Sequence, residues 1–179
     1  MENGIKITNQ NDYNGLREKL IIKNYEKYKT YFYNERHKLQ KVDFDKWLNL
    51  YSPFKKMIDS IKKLEEKYTI AIATNNRKDS ISPFLKNYKI EPKIISDSTI
   101  SIDKAKQLEY IKGQLKADYE ELHLVDDQVR HFPKLLAMGV NCYLAIWGYS
   151  NEEQREEAKN QGIALLKESN FYEYFNNLQ

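Results

Sequence analysis

Two adjacent carboxylates, Asp126 and Asp127, close the apolar run Leu122-His123-Leu124-Val125. Delivered together to the end of a strand, they supply hard oxygen ligands for Mg²⁺, or one holds the cation while the other orients its water or a lysine. The plainer alternative is that one caps the following helix and the other faces solvent. Thr74 ends a second apolar run, Ile70-Ala71-Ile72-Ala73. Its hydroxyl and the N–H groups from Asn75 onward suit a phosphate at a strand-to-helix turn, although threonine is also an ordinary turn residue. Lys104 opens a helix after Ser101-Ile102-Asp103. A cation there opposes the helix dipole by roughly 0.3–1 kcal/mol unless it meets an anion, which favours a charge-neutralising role over that of a surface lysine. Lys106 points to another side of the helix. Asn9 and Asn11 follow the short alternating segment from Gly4 to Thr8 and complete the candidate strand ends.

These residues need a sheet to bring them together. In an open parallel sheet, ligands bind beyond the carboxyl ends of the strands. The chain alternates apolar strands with amphipathic helices: a helix from Ser52 and Pro53 to about Leu64, a strand to Ala73, a helix from Ile81 to Tyr88, and a brief strand at Lys93-Ile94-Ile95. A helix from Lys104 to Leu115 follows, then the strand ending at Val125, a helix ending at Gly139, a strand within Val140 to Trp147, and a polar helix with a Ser150/Glu153 capping box. A short helix from Phe171 to Leu178 closes the chain. Repeated strand and helix predict an α/β fold, a three-layer Rossmann-like parallel sheet with right-handed crossovers. The helical stretch 14–50, with Ile21, Tyr25, Tyr28, Phe32 and Leu39 at helical spacing, reads as a small cap inserted into a core of residues 1–13 and 51–179.

Composition sets limits on function. At 179 residues, with 41% hydrophobic and 31% charged side chains, the chain is long enough to bury a core and too apolar for disorder. A net charge of +3 with interspersed signs gives little support to a nucleic-acid partner. The single cysteine, Cys142, excludes an intrachain disulfide framework and reads as a buried small residue. No run reaches membrane-spanning length and no leader is expected, so a cytoplasmic, reducing setting fits. Three scattered histidines make no zinc pattern; His123 reads as packed, while His131 follows the carboxylates closely enough to line a pocket. Trp147 reads as core or rim packing.

The order of these motifs resembles the haloacid-dehalogenase-like (HAD) superfamily. Ile70 to Asn75 looks like its second motif, Lys104 like its third, and Leu124-Val125-Asp126-Asp127 like its acidic fourth. The resemblance implies a first motif, an apolar strand followed by Asp-x-Asp, at Ile5 to Asn11. There Asn9 stands where the family has its nucleophile and Mg²⁺ ligand, and Asn11 where it has a general acid/base. An amide hydrogen-bonds but is a poor nucleophile and no proton shuttle. The implied protein is an Asp-phosphatase-type fold with a degenerate site, binding a phosphorylated small molecule or protein. The rival expectations are a Mg²⁺-dependent phosphomonoester hydrolase and an interaction module using the tyrosine-rich helices.

Overall fold

A computed structural model describes residues 25–178, so Asn9, Asn11 and the expected first strand lie outside the described residues. The chain divides into two compact units at Ser52/Pro53. In the first, α1 (Tyr25–Val42) gives way at Asp43 to α2 (Phe44–Leu48). The Asp43 side chain accepts from the Lys46 N–H at 2.9 Å, which is why the chain turns and restarts a helix there. Trp47 is buried, with the rings of Phe44 and Tyr51 at 5.3 and 5.1 Å.

The second unit runs α3 (Lys55–Leu64), β1 (Ala71–Ala73), α4 (Lys78–Asn87), β2 (Ile94–Ser96), α5 (Lys104–Leu115), β3 (His123–Asp126), α6 (Phe132–Ala137), β4 (Asn141–Ala145), α7 (Glu152–Asn160), β5 (Ala164–Leu166) and α8 (Phe171–Asn176). Among the described residues, every strand pairing is parallel. β1 pairs with β2, Ala71 opposite Ile94. β3, β4 and β5 form a second sheet in that order, Leu124 opposite Cys142 and Leu144 opposite Leu165.

Strand alternation sorts the core into two layers. Leu124, Cys142 and Leu144 point into a cluster with Leu108, Ile111, Phe132, Leu135 and Ala158, supplied by α5, α6 and α7. Val125 and Tyr143, one residue out of phase, point the opposite way into Leu64, Phe171 and Phe175 from α3 and α8. Helices therefore cover both faces, the three-layer α/β arrangement expected of uninterrupted apolar strands.

Several local expectations shift. α3 begins at Lys55 after Phe54, with no side-chain cap, rather than at Pro53 under Ser52. Asn151 caps α7 by accepting from the Gln154 N–H at 2.9 Å, while Ser150 is buried with its hydroxyl 3.5 Å from the Ala145 carbonyl. β5 was not anticipated, because three apolar residues after the Gly162 turn (φ +71°) are too few to show a period.

Candidate active site

β1, α5 and β3 bring three of the sequence candidates to one end of the second unit. The Lys104 ammonium donates to the Ala73 carbonyl at 2.8 Å and lies 3.5 Å from Asp126 Oδ2. Its side chain is 8% exposed and that of Asp126 11%, so this is a largely desolvated ion pair in which neither partner can be lost cheaply. Asp103 makes this direction possible: its side chain accepts from the Ala105 N–H at 2.8 Å and starts α5 so that the next residue turns inward. The expected electrostatic mismatch of Lys104 at a helix start is met by an anion and a carbonyl.

Asp126 also accepts from the Gln128 N–H at 2.9 Å through Oδ1. Asp127 turns elsewhere, its Oδ2 accepting from the Tyr149 N–H at 3.0 Å across the loop after β4. Gly148 permits that approach, since a Cβ there would stand 2.4 Å from Asp127 Oδ2 and 2.5 Å from its Cβ. The two carboxylates therefore have separate settings, one facing a lysine and the other a backbone amide.

Thr74 is half-buried, and its hydroxyl accepts from the Asn76 N–H at 3.0 Å, leaving a hydroxyl hydrogen that can donate to an anion. Asn75 beside it is exposed. Gln107, fully buried and overlooked in the sequence, fixes this turn by donating to the carbonyls of Thr74 and Ser101, both at 2.7 Å. Asp97 was overlooked too. It ends β2 as Asp126 ends β3, is buried, and accepts from the Lys78 N–H at 2.6 Å and the Thr99 N–H at 3.0 Å. Burial alone would raise its carboxyl above the ordinary value, but the bonds from Thr99 and Lys78 outweigh it and hold the group low. Its place directly after a strand was the signal available for finding it.

His131 lines the same cleft as Lys104, Asp126, Asp127 and Thr74, which has a volume of about 990 Å³. Burial pulls its imidazole below the ordinary value, against the opposing attraction of Asp126. His123 points away from this corner and bonds Tyr143 Oη at 2.9 Å through Nδ1. Trp147 packs on Phe171, ring centroids 5.9 Å apart. Among the described residues, no group of three or more His, Cys, Asp or Glu side chains is arranged to hold a metal. Mg²⁺ commonly takes one or two protein carboxylates and completes its shell with water and phosphate oxygens, and Asp126 and Asp127 are the adjacent carboxylates at this corner.

The family model for haloacid dehalogenase-like hydrolases matches residues 3–145. The fold is similar to that of a haloacid dehalogenase-like family hydrolase from Streptococcus pneumoniae, with a TM-score of 0.57 and 17% identity over 67% of this chain and 58% of that one. This chain thus spans less than two thirds of that protein's length. No curated protein matches it.

Proposed function

The chain belongs to the haloacid dehalogenase-like hydrolase family, and we propose that it is a member with an impaired phosphatase site that binds a phosphorylated small molecule or protein. The observation that carries this reading is the desolvated Lys104 ammonium held between Ala73 and Asp126 beside the Thr74 turn. A phosphate there would gain a fixed cation, the Thr74 hydroxyl and the N–H groups of the turn, all preorganised in a partly dry corner. Mg²⁺ would be held by Asp126 and Asp127. The impairment is argued from sequence: Asn9 and Asn11 carry amides where the family pattern has carboxylates.

The test has two arms. Inorganic phosphate titrated with Mg²⁺ should bind the chain as given and bind the Lys104→Met variant at least about tenfold more weakly. Turnover of aryl phosphates should be absent for the chain and appear in an Asn9→Asp, Asn11→Asp double variant if those asparagines are the cause. No phosphate binding and no turnover would remove the proposal, whereas substantial turnover by the unaltered chain would replace it with the Mg²⁺-dependent hydrolase. A second reading, an interaction surface on α1, draws on Tyr31 and Phe32, which are 66% and 47% exposed. Substituting both by serine should then abolish partner capture while leaving phosphate binding intact.

A further inference from the structure

Asp97 follows β2 and opens the loop that delivers Lys104 to the start of α5. Its carboxylate, buried at 4% exposure, collects donors from two separate segments. Oδ2 accepts from the Lys78 N–H at 2.6 Å, and Lys78 is the first residue of α4. Oδ1 accepts from the Thr99 N–H at 3.0 Å and from the Thr99 hydroxyl. The Asp97 main-chain carbonyl takes the N–H groups of Ile100 and Ser101, at 3.0 and 3.2 Å. α4 has no side-chain cap of its own, because Arg77 turns its guanidinium to Asp79 at 2.9 Å. The anion that meets the positive end of α4 is therefore a carboxylate sent from the end of the next strand.

These bonds belong to a closed circuit. The turn after β1 runs from Thr74 to Lys78, Lys78 donates to the Asp97 carboxylate, and the Asp97 carbonyl accepts from Ser101. The Ser101 carbonyl in turn accepts from Gln107, whose side-chain amide also donates to the Thr74 carbonyl, both at 2.7 Å. A second tie crosses the circuit, the Ser98 N–H donating to the Asn76 carbonyl at 3.4 Å. Lys104 lies within the circuit, between Ser101 and Gln107. Because the leading amide of α4 is already taken by Asp97, an anion at the Thr74 turn depends on the spacing between the Thr74 hydroxyl and the Lys104 ammonium. We propose that Asp97 is a positioning residue for phosphate: it fixes the turn that carries Thr74 against the loop that carries Lys104, without touching the ligand. The role needs a carboxylate, since donors converge on both oxygens and an asparagine would turn its NH₂ group toward one of them. The inference rests on the phosphate-binding reading of the Lys104 corner and is independent of Asn9 and Asn11.

The full chain and its variants are titrated with inorganic phosphate in the presence of Mg²⁺, and urea midpoints are measured on the same proteins. Asp97→Asn should weaken phosphate binding by about tenfold. Thr99→Val, which removes only the hydroxyl bond to Asp97, should weaken it by about threefold. Phe175→Ala serves as the structural control, because that ring packs 6.2 Å from His123 at the opposite end of β3; it should lower the urea midpoint and leave phosphate affinity unchanged. In a Lys104→Met background, Asp97→Asn should weaken binding further by less than about twofold, since the spacing it fixes has lost one of its ends. Normal phosphate affinity in Asp97→Asn and Thr99→Val overturns the inference, as does an equal loss in Phe175→Ala or a loss that adds in full to that of Lys104→Met. Should Asp97→Asn fail to fold, Thr99→Val and its combination with Lys104→Met decide the matter by the same criteria. No phosphate binding by the unaltered chain removes the reading of the corner along with the inference, whereas failure confined to the Asp97 and Thr99 variants leaves that reading standing.

Discussion

Replacing Lys104 by methionine keeps a stem that fills the same apolar passage and removes the ammonium, leaving Asp126 largely buried without its cation. Breaking a buried pair from one side costs about 3 kcal/mol, so the urea midpoint should fall, and adding Asp126→Asn should recover much of the loss. Failure of the second change to restore stability would show that Lys104 acts through Ala73 alone. His131 sets a pH dependence. Its folded-state value is lowered by burial, with Asp126 and Asp103 pulling it up and Lys104 and Arg130 pushing it down. The unfolded chain therefore takes up a proton first as pH falls, and acid favours unfolding. This contribution to stability is retained above the unfolded value of about 6.5 and declines as pH drops through it. Urea midpoints measured between neutral and mildly acidic pH should show that decline, and His131→Phe should make it shallower. Cys142 offers a simpler readout, since burial pushes its thiol up to about 12. An alkylating reagent should modify it in urea and spare it in the native chain.

At the scale of elements, α5 shows how the fold aims a side chain. Asp103 caps the helix and pairs with Lys134 at 2.8 Å, which holds its carboxyl below the ordinary value together with the Ala105 N–H. Asp103→Ala should cost about 1 kcal/mol as a lost cap and weaken phosphate binding by releasing the first turn that carries Lys104. Normal phosphate affinity in that variant would separate the cap from the site. Lys104 was legible in the sequence because a cation at a helix start runs against a local rule, and such conflicts mark sites. Asp126 and Asp127 were legible because they follow an apolar strand. Their different orientations were not, since Asp127 depends on the loop after β4 and on the missing side chain of Gly148. Gln107 escaped notice because its partners, the carbonyls of Thr74 and Ser101, are set by tertiary placement, and a glutamine inside a helix carries no local signal. The α/β class could be read from alternating strands and helices, whereas which strands pair among the described residues could not, because pairing is decided between segments far apart in sequence.

Across the second unit, the side of the sheet toward Val125 and Tyr143 is closed by α8, whose Phe171 and Phe175 are buried with Leu64. Phe175→Ala should therefore destabilise the unit by about 3 kcal/mol, read as a lowered urea midpoint; a smaller loss would mean that the neighbouring rings collapse into the gap. The end of α8 is tied down by a distant turn. Lys67 Nζ donates to the carbonyls of Asn176 and Leu178, both at 2.9 Å, and Tyr68 Oη donates to that of Phe175 at 2.8 Å. These bonds join residues 107 to 111 positions apart. During synthesis the residues around Lys67 and β1 leave the ribosome long before α8 exists, so this apolar face waits uncovered until the last helix arrives. The nascent chain is thus most vulnerable to aggregation, and most dependent on chaperones, in the interval after β4 emerges and before α8 docks.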